Sequence, residues 1–444
     1  MIKSCGVDIL GMKFYSTNNK NLRVSLREAV LTGLAPDNGL FMPVSVPPLP
    51  RKLLKDLPKL TFTEMSFEIA KILFQKDVPA SRLKKMIDRA LTFDAPLVPL
   101  THDINVLELF HGPTLAFKDF AARFMAQLMF YFAEKMNKEL TVLVATSGDT
   151  GSAVAHSFFK IPGIKVIVLY PSKCVSQLQE KQLTTFGHNI TALEIQGSFD
   201  DCQRLVKSAF LDKDINHHLN LVSANSINIA RLFPQSFYYF YAHSRLKNKN
   251  NPIVFSVPSG NFGNLTAGLL AKKMGLPIFK FIASTNINDT VPRYLKTGIF
   301  VPRPTKATIS NAMDVSRPSN FARILDLYNH RLPKIRQDII GYRFNDKTTK
   351  KAIKEVYKKY NYTLDPHGAV AYLGLKRFQQ SAPNQPINGI FLETAHPAKF
   401  KETVQASIKH KIKIPFRLKK YTKKHKHSVL LPNSFMALKN FLCN

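Results

Sequence analysis

The sequence predicts an α/β protein whose parallel strands are covered by helices on both faces. Two observations support this class. Short apolar runs rich in β-branched residues lack the polar alternation of a strand that has one face in water. Most of these runs are separated by stretches long enough for a helix, which is the connection that parallel strands require. With 444 residues, of which 45% are hydrophobic, the chain is long enough for two or three domains.

Strands and helices alternate through the middle of the chain. Each predicted strand is a short apolar run, and each predicted helix has apolar residues at helical spacing. In chain order the predicted elements are strand 140–145, helix 152–160, strand 165–170, helix 175–186, strand 190–195, helix 201–211, strand 220–223, strand 253–257, helix 265–274, strand 277–284 and strand 387–394.

The two ends of the chain differ from this middle part. The first 92 residues contain a proline-rich turn at 46–50 and a helical stretch at 65–74, and we predict that they form a separate small domain. At the other end, residues 431–442 are predicted as an amphipathic helix that packs on the rest of the protein. Asn433 or Ser434 would be the N-cap of this helix.

Composition argues against several classes of protein. No apolar run approaches the roughly 20 residues of a membrane-spanning helix, and the first residues do not have the pattern of a signal peptide. The four cysteines, Cys5, Cys174, Cys202 and Cys443, have no CxxC spacing, which argues against a disulfide framework or a structural zinc site. We therefore expect a cytoplasmic protein without a membrane partner.

The formal net charge of +33 could indicate a nucleic-acid partner or a lysine-rich surface. Lysine outnumbers arginine by more than two to one, whereas arginine is the residue that recognises bases and phosphates with two hydrogen bonds. The lysines are also spread along the chain, apart from a basic stretch at 409–427. We therefore expect a solvated basic surface and no nucleic-acid partner.

A glycine-containing loop at 259–264 lies between a predicted strand and a predicted helix. Such a loop presents backbone N–H groups to an anion, aided by the positive end of the helix dipole. Gly260 and Gly263 would permit close approach and positive φ angles. Neither a Walker motif nor a dinucleotide motif is present. The loop is predicted to bind phosphate, and an ordinary glycine turn is the alternative.

A second loop of this kind, at 146–151, follows another predicted strand and contains three hydroxyl side chains. Hydroxyl groups and a helix N-terminus suit a carboxylate or phosphate ligand. Asp149 is unexpected there, because its carboxylate would oppose an anion. A capped turn without a ligand is the alternative interpretation.

Lys118 lies among apolar neighbours in the run 111–119. Desolvation lowers the pKa of such a lysine and makes it a usable amine nucleophile, although a lysine in such a stretch often only extends to the surface. Ser226 and Arg231 follow a predicted short strand, and Arg231 could bind a second phosphate. An ordinary arginine on a surface helix is the alternative.

Three histidines, His111, His367 and His396, are predicted to lie in loops. They have no metal-ligand spacing, and no HExxH motif occurs. A Ser-His-Asp triad has no support from a G-x-S-x-G motif. We expect no metal site and no serine-hydrolase chemistry.

Together these motifs resemble the threonine synthase family. This family is one of the fold-type II enzymes that use pyridoxal 5′-phosphate (PLP), a group typified by the tryptophan synthase β chain. The resemblance is colinear over nearly the whole chain. It is carried by the segments 12–17, 33–43, 111–119, 146–151, 226–231, 259–264 and 393–400.

The resemblance implies an α/β fold of type II, in which a small and a large parallel-sheet domain enclose the cofactor in a cleft. An N-terminal domain of the family's own kind precedes them. The implied divisions are an N-terminal extension at 1–11, the N-terminal domain at 12–92, the interleaved PLP-binding core at 93–408, and a basic linker with a C-terminal helix at 409–444.

For the cofactor, the resemblance implies that Lys118 forms the Schiff base with PLP and also moves protons. It implies that Thr394 offers its hydroxyl to the pyridine nitrogen and that Asp149 lies beside the cofactor. The residues implied for the cofactor phosphate are Gly260, Asn261, Phe262, Gly263 and Asn264.

For the substrate, the resemblance implies that Thr146, Ser147 and Thr150 hold the carboxylate, while Ser226 and Arg231 hold the phosphate. The implied enzyme is a PLP-dependent carbon–oxygen lyase that converts O-phospho-L-homoserine and water to L-threonine and phosphate in the last step of threonine biosynthesis. A PLP-dependent phospholyase or dehydratase that acts on a related amino acid is the alternative. A monomer or a homodimer is expected.

Overall fold

Three β-sheets organise the computed structural model of the protein, which describes residues 11–381, 383 and 385–443. Residues 1–10, most of the predicted N-terminal extension, lie outside the described residues. The sheets have three, six and five strands. The two larger sheets are parallel apart from one edge strand, so the predicted α/β class with two parallel sheets is confirmed.

The first part of the chain forms the three-stranded antiparallel sheet and four helices. Its elements are β1 (Lys13–Ser16), β2 (Arg23–Ser25), α1 (Leu26–Thr32), β3 (Phe41–Pro43), α2 (Arg51–Asp56), a 3₁₀ turn (Leu57–Lys59), α3 (Phe62–Phe74) and α4 (Ala80–Ala90). Capping boxes formed by Ser25 with Glu28 and by Thr61 with Glu64 fix the starts of α1 and α3.

The remaining elements alternate between strands and helices. Up to the middle of the chain they are β4 (Leu97–Pro99), β5 (Ile104–Glu108), α5 (Lys118–Met136), β6 (Leu140–Ala145), α6 (Asp149–Phe158), β7 (Ile164–Pro171), α7 (Gln177–Thr184), β8 (Ile190–Gln196), α8 (Phe199–Leu211), α9 (Lys213–His218), β9 (Leu221–Ser223), a 3₁₀ turn (Ile229–Arg231) and α10 (Pro234–Arg245).

The second half completes both parallel sheets. Its elements are β10 (Ile253–Pro258), α11 (Gly263–Lys273), β11 (Ile278–Thr285), α12 (Thr290–Thr297), a 3₁₀ turn (Asn311–Met313), α13 (Phe321–Leu327), α14 (Leu332–Asp338), β12 (Ile339–Arg343), α15 (Asp346–Tyr360), α16 (Pro366–Ser381), β13 (Asn388–Glu393), a 3₁₀ turn (Pro397–Phe400), α17 (Lys401–Ile408), α18 (Phe416–Thr422), β14 (Val429–Pro432) and α19 (Phe435–Cys443).

The six-stranded sheet has the order β12-β11-β10-β13-β5-β4, and only β4 runs antiparallel to its neighbour. The five-stranded sheet has the order β14-β8-β7-β6-β9 and is parallel throughout. Every residue of β6, β10 and β13 is buried, as expected for strands covered by helices on both faces. Because parallel strands all end at the same edge, each sheet presents several loops on one side.

Helix α5 packs the first part of the chain onto the rest. The ring of Phe62 contacts the rings of Phe120 and Tyr241 at centroid distances of 5.5 and 5.1 Å. Side chains of α3, α5 and α10 lie in one continuous apolar cluster. The N-terminal segment therefore shares its core with the following part of the chain.

Several local predictions were wrong in detail. Helix α6 begins at Asp149, three residues before the predicted start, and His367 lies in the first turn of α16 instead of a loop. The carboxylate of Asp365 caps α16 by accepting bonds from the backbone N–H groups of His367 and Gly368. Strand β14 was not predicted, because its residues are largely exposed and form only a short run.

The C-terminal helix is confirmed, and Leu438 and Leu442 bury its apolar face against the five-stranded sheet. The hydroxyl of Ser434 accepts a 3.5 Å bond from the backbone of Ala437, whereas the side chain of Asn433 binds Arg204. Ser434 is therefore the N-cap. Among the described residues, no helix has the length and apolar character needed to cross a membrane.

Candidate active site

A cleft lies where the carboxyl ends of β6, β9, β10 and β13 approach one another. Most of the residues that the sequence singled out line the cleft. They are Lys118, Ser147, Thr150, Ser226, Arg231, Gly260, Asn261, Phe262, Gly263, Asn264 and Thr394.

Lys118 is the first residue of α5 and is partly buried, with its side chain in the wall of the cleft. Desolvation by burial lowers the pKa of its amine to about 8, and the positive charges of Arg231 and Lys399 act in the same direction. The negative charge of Asp149 opposes them. A substantial fraction of this amine is therefore unprotonated near neutral pH, as a nucleophile or general base requires.

The loop after β10 enters α11 through an unusual backbone conformation. The sequence had suggested positive φ angles at Gly260 and Gly263. In the structure the residue with a positive φ angle, 61°, is Phe262. Gly260 is needed for close approach, because an added Cβ atom would lie 2.4 Å from the carbonyl oxygen of Ala312. At Gly263 a Cβ atom would meet its neighbours only at ordinary contact distance, 3.5 Å or more.

Asn264 lies in the first turn of α11, and its side-chain oxygen accepts 2.7 Å bonds from the hydroxyls of Tyr238 and Tyr239. These two bonds fix the orientation of the amide. Its nitrogen Nδ2 is buried and has no hydrogen-bond partner among the described residues. A buried donor without a partner costs free energy, so the cleft favours a ligand that accepts a hydrogen bond here.

Ser226 and Arg231 occupy the loop between β9 and α10. The hydroxyl of Ser226 accepts a 2.6 Å bond from the Nδ2 atom of Asn261, which joins this loop to the loop after β10. Arg231 is 3% exposed, so the alternative interpretation of an ordinary arginine on a surface helix is wrong. Its Nη1 atom donates to the carbonyl of Ala224, while Nε is buried without a partner in the described part of the chain.

The guanidinium of Arg231 lies in the wall of the cleft and carries a positive charge there. Burial lowers the pKa of its guanidinium to about 10, so the group stays charged at neutral pH. Within the described residues, no carboxylate forms an ion pair with it. An uncompensated buried cation favours an anionic ligand, because an anion offsets its desolvation cost.

The loop after β6 contains the remaining predicted residues, and only some of them line the cleft. Ser147 and Thr150 line the cleft near the start of α6. Thr146 does not line the cleft, because its fully buried hydroxyl accepts 2.9 and 2.8 Å bonds from the backbone N–H groups of Gly148 and Gly151. Thr146 therefore shapes the turn in which Ser147 and Thr150 are presented.

Asp149 does not line the cleft either, but it is held by a partner that the sequence had not identified. Its Oδ1 atom accepts a 2.6 Å bond from the ammonium of Lys399 and a 2.9 Å bond from the side chain of Gln179. Burial alone would raise the pKa of Asp149. The charges of Lys399 and Lys118, with these hydrogen bonds, outweigh burial and hold that pKa well below its usual range.

Three further residues were given no role in the site by the sequence analysis. Lys399 lies in the quoted segment 393–400, where its apolar neighbours are the signal of a buried lysine. Arg323 is fully buried and donates to the carbonyls of Ser226 and Ile227 at 3.1 and 2.6 Å, which fixes the loop after β9. His367 lines the cleft and accepts a 3.2 Å bond from the backbone of Ala312.

Thr394 immediately follows β13 and lines the cleft, and the residue is only 5% exposed. Its carbonyl accepts a 2.9 Å bond from the backbone of Phe117, which places Thr394 next to the start of α5. The end of β13 and the amine of Lys118 therefore belong to one wall of the site.

Three protein-family models match consecutive parts of this chain. Residues 13–91 match the threonine synthase N terminus, residues 95–387 match the pyridoxal-phosphate dependent enzymes, and residues 368–442 match the C-terminal part of threonine synthase. The threonine synthase of Escherichia coli (strain K12) is 45% identical over 435 residues, which cover 98% of this chain and 100% of the relative. The chain belongs to the threonine synthase family.

Solved structures of the family have the same architecture. The crystal structure of threonine synthase from Escherichia coli superimposes with a TM-score of 0.91 at 44% identity, covering 97% of this chain and 99% of that one. PLP-bound threonine synthase from Brucella melitensis superimposes with a TM-score of 0.89 at 32% identity, covering 98% and 99%. The protein is therefore a PLP-dependent enzyme of fold type II, as the resemblance implied.

The side chains in the cleft fit this cofactor. The unpartnered Nδ2 of Asn264 and the start of α11 offer donors to a phosphate group, and Lys118 offers an amine with a lowered pKa to an aldehyde. Thr394 could hold the pyridine nitrogen. Gly260, Asn261, Phe262 and Gly263 could form the rest of the phosphate site with their backbone.

Proposed function

We propose that this chain is a threonine synthase that converts O-phospho-L-homoserine and water to L-threonine and phosphate. The observation that carries the proposal is the position of Arg231 in the same cleft as Lys118, as a buried guanidinium that has no carboxylate partner among the described residues. A second anion site beside a PLP lysine suits an amino acid whose side chain carries a phosphate.

Ser226 and Arg231 bind the substrate phosphate in this proposal. The Nη1 atom of Arg231 is occupied by Ala224, and its Nε atom remains to donate. Ser226 keeps its hydroxyl proton for the phosphate, because Asn261 and Asn320 donate to its oxygen. Arg323 fixes the backbone on which Ser226 stands. Holding the phosphate in this way also stabilises it as the leaving group at Cγ.

Ser147 and Thr150 bind the substrate carboxylate. Both lie at the start of α6, where the positive end of the helix dipole favours an anion. With the carboxylate at α6 and the phosphate at Arg231, the two ends of the substrate are fixed. The amino acid is then oriented with its Cα atom between them.

Bound PLP supplies an electron sink that makes the Cα proton of the amino acid acidic. Lys118 removes that proton and returns one later, because burial lowers its pKa to about 8, close to neutral pH. The apolar side chains of Phe117, Phe262 and Met313 in the cleft wall exclude bulk water from this exchange. Thr394 would offer its neutral hydroxyl to the pyridine nitrogen of PLP, so that no fully charged side chain holds that nitrogen.

The experiment that tests the proposal supplies purified enzyme with O-phospho-L-homoserine and follows threonine and inorganic phosphate together. Threonine and phosphate are expected in equal amounts. A phospholyase or dehydratase on the same scaffold would release phosphate and accumulate 2-oxobutanoate without threonine, and that result would contradict the proposal.

A further inference from the structure

Lys399 is a fully buried lysine at the boundary between the two parallel sheets. It lies in the 3₁₀ turn after β13 of the six-stranded sheet, whereas its partner Asp149 begins α6 after β6 of the five-stranded sheet. The Nζ–Oδ1 distance is 2.6 Å, and both side chains are at most 5% exposed. A charge pair in this environment is electrostatically strong, because little water screens it.

Both partners are held by further hydrogen bonds. The ammonium of Lys399 also donates to the carbonyl of Thr114 at 3.0 Å, and that carbonyl accepts from Gln182 of α7 at 3.3 Å. On the other side, Gln179 donates to the same Oδ1 atom that Lys399 binds. The carboxylate of Asp149 is therefore fixed through one of its two oxygens by groups from both sheets.

This pair acts electrostatically on Lys118. Asp149 raises the pKa of the Lys118 amine, while Lys399 and Arg231 lower it, and burial lowers it most. Other titratable groups that face the pair are Asp119 in α5 and His396, both within electrostatic range of Lys399. The charge balance at the Lys118 amine therefore depends on Asp149 being ionised and paired with Lys399.

We propose that Lys399 is a positioning residue for the reaction: it fixes the carboxylate of Asp149, so that Lys118 faces a neutralised carboxylate instead of a free one. This inference rests on the proposed function, in which Lys118 carries the cofactor and moves the Cα proton. Lys399 itself does not line the cleft and touches neither substrate nor cofactor in this arrangement.

A free carboxylate beside Lys118 would hold a proton on the lysine nitrogen, so that less of this nitrogen would be unprotonated and able to accept a proton near neutral pH. Lys399 prevents this by two means, because its own positive charge repels a proton on Lys118 and its bond to Asp149 neutralises the attraction. An ion pair with a purely structural role would stabilise the boundary between the sheets without changing the ionisation of Lys118.

The test is a pH titration of the visible absorbance of the holoenzyme without substrate, which reports the proton on the Lys118 nitrogen that carries the cofactor. Wild type is compared with Lys399→Met, Asp149→Asn and the double variant. Lys399→Met should raise the midpoint by at least about one pH unit, since a cation is lost and a carboxylate is freed. Asp149→Asn should lower it, because the unpaired ammonium of Lys399 then repels the proton.

Lys399→Met alone could fail to fold. In that case the titration midpoints of Asp149→Asn and of the double variant still test the inference. The double variant leaves no unpaired buried charge, and its midpoint should lie above that of Asp149→Asn. Lys272→Met is the matched control, because Lys272 forms a 2.8 Å pair with Asp338 and does not line the cleft. This control should titrate like wild type.

Equal midpoints in wild type and all three variants would overturn the inference and leave Lys399 with a structural role. The titration uses no substrate, so its outcome is separate from that of the proposed function. A wild-type enzyme that binds PLP but forms no threonine would contradict the function alone. As a second readout, Lys399→Met should lower kcat about tenfold at neutral pH with little change in KM, because a midpoint that is one pH unit higher leaves about a tenfold smaller unprotonated fraction of Lys118.

Discussion

The Nδ2 atom of Asn261 donates to the hydroxyl of Ser226 at 2.6 Å and so joins two loops that follow different sheets. Asn261 follows β10 of the six-stranded sheet, and Ser226 follows β9 of the five-stranded sheet. In the proposed arrangement the cofactor phosphate would lie at the first loop and the substrate phosphate at the second. This hydrogen bond would then join the two phosphate sites.

Replacing Ser226 with Ala should weaken both phosphate sites. The substrate loses a hydroxyl donor, and the Nδ2 atom of Asn261 loses its acceptor. Hydrogen bonds to charged groups contribute about 1.5–3 kcal/mol, so the KM for O-phospho-L-homoserine should rise by about tenfold or more. Cofactor affinity, measured by equilibrium dialysis, should fall as well. A rise in KM with unchanged cofactor affinity would show that the two sites are independent.

Gly260→Ala and Gly263→Ala form a matched pair of changes in the loop after β10. The new methyl group at residue 260 would lie 2.4 Å from the carbonyl oxygen of Ala312, whereas at residue 263 its nearest neighbours are 3.5 Å away. Gly260→Ala should destabilise the apoenzyme by about 1–3 kcal/mol, since the backbone must move. Gly263→Ala should leave stability nearly unchanged. Urea unfolding of both apoenzymes measures the difference, and equal midpoints would contradict this packing.

Arg231→Met removes a buried charge that no carboxylate pairs with in the part of the chain that the structure describes. The variant apoenzyme should be at least as stable as wild type, because burying the unpaired guanidinium is costly. Its affinity for O-phospho-L-homoserine should fall by about a hundredfold, as expected for a lost charge-assisted bond. Thermal melts at graded ligand concentrations measure both quantities. Arg293→Met, which removes an arginine paired with Asp289, is the control for ligand binding.

Lys118→Ala should abolish the covalent attachment of PLP. Purified wild type is expected to be yellow, and borohydride reduction should remove the visible absorbance and fix the cofactor on the peptide that contains Lys118. The variant should lose at least about a thousandfold in threonine formation, because the group that moves protons at Cα is gone. A Lys118→Ala enzyme that still bound PLP covalently would contradict the assignment of this lysine.

The sequence predicted the parallel strands well because their apolar runs are continuous and bounded by turns. Most of the residues that it singled out line the cleft, because glycine-containing loops after such strands meet at one edge of a sheet, although Thr394 rested on the family resemblance. The start of α6 was missed because the hydroxyl of Thr146 accepts the backbone bonds of this turn, although Thr146 lies three residues before the helix. A sequence pattern does not show such a bond. The positive φ at Phe262 had no signal, since a phenylalanine rarely adopts it.

The partner of Asp149 could not be predicted for a different reason. Lys399 is far from Asp149 in the chain, and one sequence does not report which distant residues meet. Its burial was nevertheless indicated by the apolar residues on either side of it. Many residues that line the cleft could thus be predicted from local pattern, whereas the residues that orient them depend on the packing of one sheet against the other.

The lowered pKa of Lys118 predicts how the stability of the apoenzyme depends on pH. The amine has a pKa of about 8 in the folded protein, against an ordinary value of 10.5. Between these values the unfolded chain binds the proton and the folded chain does not, so stability should rise with pH in this window. Below about pH 8 both states are protonated, and the full cost of burying the charge remains.

This contribution can be isolated by comparison with Lys118→Met, whose side chain has similar length and no charge. The difference in unfolding free energy, wild type minus Lys118→Met, should be constant below about pH 8 and should increase towards pH 10.5. Urea unfolding of the two apoenzymes across this range measures it, because other titrating groups cancel in the difference. A difference that stays flat to pH 10 would mean that the amine of Lys118 is solvated in the folded protein and is not the base that the proposed function requires.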